Sequence, residues 1–277
     1  MRGFFLTVAT LLLANGSILA AEVDVKGKPT PSPAKAPMGP STTPAASPAA
    51  PAAQLPQFRP ALLGAGPASV INRMDTAGLI RDGQKDGTVS FSCSVRKTGE
   101  IASVWTYRGT PGSTLLEREL VRCLDTAVFV PAIHNRQTVH ALFFGTVTFK
   151  VVDGKPRLRI FANQEPEELK KESDFVGPQP FIGPGSKFEG LHYPGDSLTS
   201  ELSGIVELAL KVDAAGNMNE LKIISETPPL AGFRRAAAED FRVASFIPAF
   251  RDGKPVECNV TLPVYYEPMA PPAPTAE

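Results

Sequence analysis

The sequence predicts an α+β chain in which one strand–strand–helix–strand unit occurs twice. Three observations carry this. Two segments of opposite halves align without a gap, short apolar alternations of strand type flank a helical stripe in each, and glycine and proline punctuate both at the same places. Gly87 matches Gly204, Gly99 matches Gly216, Pro111 matches Pro228, Pro131-Ala132 matches Pro248-Ala249, Val139 matches Val256 and Phe149 matches Tyr266, each partner lying 117 positions downstream. One register held through two strands, a helix and a third strand reads as internal duplication.

In the second copy Ile205–Val212 is apolar on both parities, as in a central strand covered on both faces. Asp213-Ala214-Ala215-Gly216 signals a hairpin, with Gly216 free to take positive φ. Met218 to Ile224 reads as the next strand. Pro228-Pro229 leads into a helix expected over Leu230–Ala244, whose Phe233, Ala237 and Phe241 recur at i, i+4 and i+8 on one face. Pro248 stops it and Asp252-Gly253 turns the chain. Val256, Cys258, Val260, Leu262 and Val264 then alternate as a strand with one buried face.

The first copy follows the same logic. Val89, Phe91, Cys93 and Val95 share a strand face, and Leu116, Leu120, Cys123, Leu124 and Ala127 share a helix face. Cys93 and Cys123 therefore point at one interface. In an oxidising compartment that allows a Cys93–Cys123 disulfide, or else two buried thiols. Cys258 has no local mate and reads as a core residue.

Around these copies the chain divides as follows. Residues 1–21 read as a signal peptide, with Arg2 before an apolar run and Ala20-Ala21 at its end. The alternative is an uncleaved N-terminal anchor, near the lower length limit for a bilayer span. Residues 22–60 are a Pro/Ala-rich tether with almost nothing large to bury. In extended polyproline form its proline-rich part reaches roughly 100 Å. Residues 61–150 are the first copy, 151–187 a linker and 188–268 the second copy, with 269–277 a disordered tail. The linker holds an extended stretch at Leu158–Phe161, a helix signal at Pro166–Lys171, and Phe175, Phe181 and Ile182, which are expected to pack on the copies.

Lys plus Arg equals Asp plus Glu, at 28 each, which argues against a nucleic-acid partner. The histidines and cysteines show no metal-ligand spacing, so no metal and no cofactor are expected. No nucleophile elbow, phosphate loop or convergent acid–base pair lies in the right context, so no enzyme and no catalytic residue are expected. His134 falls in a turn and His140 on the outward parity of its strand, where both are expected to face solvent.

The second copy carries a more specific pattern. Tyr193-Pro194 precedes Gly204-Ile205-Val206. The Asp213–Gly216 hairpin, Pro228, Phe233, Phe246-Ile247-Pro248-Ala249 and Asp252-Gly253-Lys254-Pro255-Val256 follow, and a strand closes at Pro263-Val264-Tyr265-Tyr266. This resembles the C-terminal domain of the TonB energy-transducer family, well over about 190–268 and in degenerate form over about 68–150. The resemblance implies two tandem modules, each a three-stranded antiparallel sheet with a helix packed on one face. It also implies a protein partner: the exposed last strand pairs with a segment of a TonB-dependent outer-membrane receptor and supports transmembrane transport. The implied binding residues are Val256, Glu257, Cys258, Asn259, Val260, Thr261 and Leu262 of that edge, with Tyr193 and Pro194. Glu257, Asn259 and Thr261 are expected to face outward. The implied location is the periplasm or cell envelope of a Gram-negative-type bacterium, with membrane contact only if residues 1–21 remain as an inner-membrane anchor. Departures are the absence of a histidine in the apolar segment, of charged proline repeats in the tether, of a tryptophan at Ala244, and of a Tyr-Pro start at Thr76-Ala77. An assembly protein that self-associates through edge strands is the alternative reading.

Overall fold

Every second residue of 89–95 and of 206–212 is apolar, and in both places the chain extends and the apolar face meets a helix. The computed structural model describes residues 54–195 and 202–268. The first half opens with β1 (Phe58–Arg59), α1 (Val70–Arg73) and α2 (Thr76–Arg81). Next come β2 (Gly87–Val95), β3 (Ile101–Tyr107), α3 (Thr114–Leu124), β4 (Ala132–His134) and β5 (Gln137–Val152). The connecting stretch holds β6 (Lys155–Phe161), α4 (Pro166–Lys171), β7 (Phe175–Val176) and β8 (Gln179–Ile182). The second half holds β9 (Gly204–Val212), β10 (Met218–Thr227), α5 (Phe233–Arg242), β11 (Phe246–Ile247), β12 (Ala249–Arg251), β13 (Lys254–Val256) and β14 (Cys258–Tyr266).

Strand order is β3–β2–β5 in the first half and β10–β9–β14 in the second, all antiparallel. The registers of β2 with β5 and of β9 with β14 correspond position by position. Gly87 pairs with Phe149 and Gly204 with Tyr266. Ala132 pairs with Val139, and Ala249 with Val256. The hairpin glycines are used alike. Gly99 and Gly216 have φ of 91° and 87°, and their carbonyls accept from Phe129 and Phe246 N–H at 2.8 and 3.0 Å. A Cβ at either position would lie 2.2 or 2.1 Å from the oxygen of that same phenylalanine. Only glycine allows the strand and the segment after the helix to meet so closely.

Two cores follow. Val89, Phe91, Cys93 and Val95 pack with Phe129, Phe143 and the Leu116, Leu120, Leu124 stripe of α3. Val206, Leu208, Leu210 and Val212 pack with Val260, Leu262, Val264, Tyr266 and the Phe233, Ala237, Phe241 stripe of α5. Helix α5 is shorter than Leu230–Ala244: Gly232, at φ 85°, precedes it and Val243 follows.

The first sheet is wider than three strands. β6 adds to the outer side of β5, from Thr146 opposite Phe161 to Val152 opposite Lys155. β8 adds at His140 and Ala141 and is itself extended by β11. β7 pairs with β12. The 151–187 stretch is thus woven into strands of both halves, which buries Phe175 and Phe181.

The outward face of the first sheet is also covered. Ser90, Ser92, Ser94 and Phe144 are buried, and Leu142 and Phe144 pack into the second core. His140 is half-buried there, its Nε2 2.6 Å from Ser94 Oγ, and burial lowers its pKa. His134 stacks on Phe181 with ring centroids 4.3 Å apart. Neither histidine stands free in solvent: His140 lies on the face that the second half covers, and His134 sits between the rings of Phe58 and Phe181. Cys93 and Cys123 are unbridged, buried thiols. The Cys123 sulfur lies along its own helix beside Glu119 and Arg122, 3.7 and 3.3 Å away. Cys258 is also a free thiol, half-buried.

Candidate functional site

An antiparallel strand bonded on one side only presents alternate N–H and C=O groups on the other. Among the described residues β14 is such a strand. It pairs with β9 in unbroken register from Cys258 opposite Val212 to Tyr266 opposite Gly204. The expected edge began earlier, but Val256 lies in β13, hairpinned to β12, and Glu257 separates the two strands. Val256 and Glu257 therefore fall outside β14; Cys258, Asn259, Val260, Thr261 and Leu262 lie on it. The break comes where the chain leaves the β12 hairpin and turns to follow β9.

Parity fixes what the outer side offers. Thr261 N–H points away from β9 and donates to Glu165 Oε1 at 2.7 Å. Asn259 and Tyr265 share that parity and direct their N–H groups the same way. Pro263, also on it, has no N–H. Val260, Leu262 and Val264 turn their side chains to the core.

The flank of β14 is lined by residues far away in sequence. Glu165 stands at the N-cap position of α4 without a side-chain capping bond, and Pro166 takes the first helical position. Phe144, Asn163, Gln164, Gly177 and Pro178 border Val260 and Leu262. Trp105 lies against Tyr265 with ring centroids 6.1 Å apart, and Arg108 forms an ion pair with Glu207 of β9. An open cleft of about 590 Å³ runs beside Glu165 over Ala209, Leu221, Asn259 and Thr261.

Burial raises the Glu165 carboxyl pKa, against the Thr261 N–H and the Arg108 charge, which favour the ionised form. Burial, then the Glu165 charge, pushes the Cys258 thiol up to about 12. One turn along α4, Glu168 takes a two-pronged bond from Arg251 of β12 at 2.8 and 2.9 Å. It also accepts from Ser173 at 2.7 Å. The Arg251 bonds come first in holding the Glu168 carboxyl down at about 2.

Tyr193 and Pro194 are not on the outer flank of β14. Tyr193 packs edge-on against Phe233, which stacks on Tyr266 at the end of β14, and its hydroxyl donates to Leu202 O at 2.5 Å. Pro194 lines a separate cleft with His192 and Asp240, where Asp240 binds the His192 ring and main-chain N–H at 2.7 and 2.9 Å. Among the described residues no group of three or more His, Cys, Asp or Glu is placed to hold a metal ion, and no helix is long and apolar enough to cross a membrane. Residues 1–21, and most of 22–60, lie outside the described residues.

Glu165, Trp105, Arg108 and Phe144 were not singled out by the sequence. Phe144 and Leu142 had one visible signal, large apolar residues on an outward parity. Glu165 had none, since the proline after it announces only a helix start.

This geometry has a counterpart. Residues 189–268 match the family model of the Gram-negative bacterial TonB protein C-terminal. The matched stretch runs from just before Tyr193-Pro194 to just past β14, so it contains β9, β10, α5 and the open edge together. It does not extend over residues 61–150. A comparison with curated proteins gives no match. The chain therefore carries a TonB C-terminal-like region in its second half, a type of protein-interaction domain associated with the Gram-negative envelope.

Proposed function

We propose that this chain is an exported TonB-like envelope protein that binds an extended segment of another protein by strand addition to β14. The observation that carries the reading is a nine-residue strand paired, among the described residues, with a strand on one side only, inside the region that matches the family. Main-chain bonds supply the affinity in such additions, and side-chain pockets at alternate positions supply the choice. The partner proposed is a periplasmic segment of a TonB-dependent outer-membrane receptor, with residues 1–21 exporting or anchoring the chain and 22–60 giving it reach.

On the same reading, residues 61–150 are a second, degenerate copy that supports the first sheet and does not bind. Its register supports this, and so does the state of its last strand. The outer side of β5 from Thr146 to Val152 is already filled by β6. The chain is read as non-enzymatic.

The test is binding of synthetic peptides copied from receptor N-terminal segments to the exported protein, by calorimetry. Asn259→Pro removes one outward N–H while leaving the β9 pairing intact. Binding is expected to weaken in this variant; unchanged binding in a folded variant would falsify strand addition at β14. A second reading, self-association, is favoured by β10, whose outer side pairs with no strand among the described residues. Mass that rises with concentration in sedimentation, with no peptide bound, would select it.

A further inference from the structure

The outer side of β14 is open in hydrogen-bonding terms but not in space. Glu165 occupies one of its donors, and Phe144, Gln164 and Trp105 lie beside Leu262 and Tyr265, while the open cleft reaches Asn259. The carboxylate oxygen 2.7 Å from Thr261 N sits where the carbonyl of an added strand would accept the same bond. We infer that the corner between β6 and α4, with Glu165 as its contact, is an intramolecular competitor that holds the β14 edge closed until a partner strand displaces it. This inference rests on β14 being the docking edge.

Two further observations support it. The corner is firmly built into the first half. Gln164 Nε2 donates to Phe91 O and Gly145 O at 2.9 and 3.1 Å, and Asn163 Nδ2 donates to Phe175 O at 3.0 Å. Thr146 Oγ1 donates to Asn163 O at 2.9 Å. Such a corner does not flip aside by itself; clearing the edge means parting the second sheet from the first. Beside the edge the two are joined by polar and ring contacts, the Arg108–Glu207 pair, the Trp105–Tyr265 contact and the Glu165 bond, and by the apolar contact of Phe144 with Val260 and Leu262.

The closed arrangement is also incompletely satisfied. Glu165 serves one outward donor, Thr261, and a partner strand would serve Asn259 and Tyr265 as well. Gln164 Oε1, beside Leu262, is buried with no hydrogen-bond partner among the described residues. A buried acceptor left unpaired makes closure less favourable, so opening costs less. Burial raises the Glu165 carboxyl pKa, which again marks the closed state as one that holds a charge at some cost. A partner strand brings carbonyls for the Asn259, Thr261 and Tyr265 N–H groups, and parting the corner from β14 returns Gln164 Oε1 and the Glu165 carboxylate to water.

The experiment uses the full exported chain, wild type and three variants: Glu165→Ala removes the acceptor, Glu165→Gln keeps an acceptor oxygen, and Arg108→Ala loosens the junction without touching β14. The probe is a panel of synthetic peptides copied from receptor N-terminal segments. Titration is followed by calorimetry and by amide exchange at single residues, with thermal unfolding as the check on folding. Glu165→Ala and Arg108→Ala are expected to bind roughly fivefold tighter than wild type, the worth of one hydrogen bond in an opening equilibrium. Glu165→Gln is expected to stay near wild type, and the bound peptide to protect Asn259 and Tyr265 amides. Equal or weaker binding by Glu165→Ala, with those amides protected, overturns the competitor while leaving the edge as the docking site. Protection elsewhere, or binding by no variant, overturns the edge reading and the competitor with it.

Discussion

Replacing Glu168 by glutamine removes the charge that staples α4 to β12, and its cost can be worked from the geometry. The carboxylate is mostly buried, with 13 % of its side chain exposed, and takes both prongs of Arg251, which is 38 % exposed and lies over the Phe175 ring. A carboxyl held at about 2 instead of its usual 4.5 corresponds to roughly 3 kcal/mol at neutral pH, at about 1.4 kcal/mol per pH unit. Water reaches the arginine side and screens the pair, which brings the figure to ~2 kcal/mol. The sign follows from the direction. The folded carboxyl titrates below the unfolded one, so the contribution is present above about pH 4.5 and is lost as pH falls toward about 2. Urea unfolding of wild type, Glu168→Gln, Arg251→Met and the double variant at pH 7 is expected to give a coupling of about 2 kcal/mol. In thermal unfolding Glu168→Gln loses about 4–8 °C. The difference between wild type and Glu168→Gln shrinks as pH is lowered through this window. A coupling under ~0.5 kcal/mol at pH 7, the level of an exposed pair, or a loss independent of pH, refutes the reasoning.

Other outcomes follow from single contacts. Gly216→Ala sets a Cβ 2.1 Å from Phe246 O at φ 87° and is expected to cost roughly 2–4 kcal/mol in urea unfolding. Gly253→Ala, at φ 74° with open space around it, is expected to cost only about 1 kcal/mol. Phe144→Ala, on a face the sequence assigns to solvent, is expected to destabilise by roughly 3–5 kcal/mol, where a surface phenylalanine would change little. Burial raises the thiol pKa of Cys93, Cys123 and Cys258 alike. Iodoacetamide is therefore expected to label Cys93 only after unfolding, and unreduced, unfolded protein to take up three labels on its three cysteines. Two fewer labels without reductant would mean a bridge.

The parts of the fold legible in the sequence were those written in side chains. The alternation of Val206, Leu208, Leu210 and Val212, the Phe233–Ala237–Phe241 stripe, and the glycines at 99 and 216 each have a local physical cause. The short helix at Pro166–Lys171 was legible for the same reason, with proline at its first position, acidic residues in its first turn and basic ones in its last. What was not legible depends on partners distant in sequence. β6 joins β5, β7 joins β12 and β8 joins both β5 and β11 through main-chain groups that every residue carries, so no residue type announces the pairing. Ser90, Ser92 and Ser94 look like a solvent face but are small enough to be covered, and His140 meets Ser94 there instead of water. The edge itself was legible as an alternating strand from Cys258 onward. Its first two residues were misplaced because Val256 continues the same alternation while belonging to the β12 hairpin. Glu165 was invisible because a glutamate before a proline reads as a helix cap, whatever it reaches across to.

On the proposed function a partner strand joins the outer side of β14. Residue-resolved amide exchange on the full chain, with and without a bound receptor-segment peptide, tests it most directly. Val260, Leu262 and Val264 amides point toward β9 and are expected to be protected in both states. Asn259 and Tyr265 amides point outward and are expected to exchange fast in the free chain and to become protected on binding, with Thr261 exchanging its Glu165 partner for the peptide. Protection that appears instead along the outer side of β10, or no change at Asn259 and Tyr265 while the peptide is bound, would contradict the account.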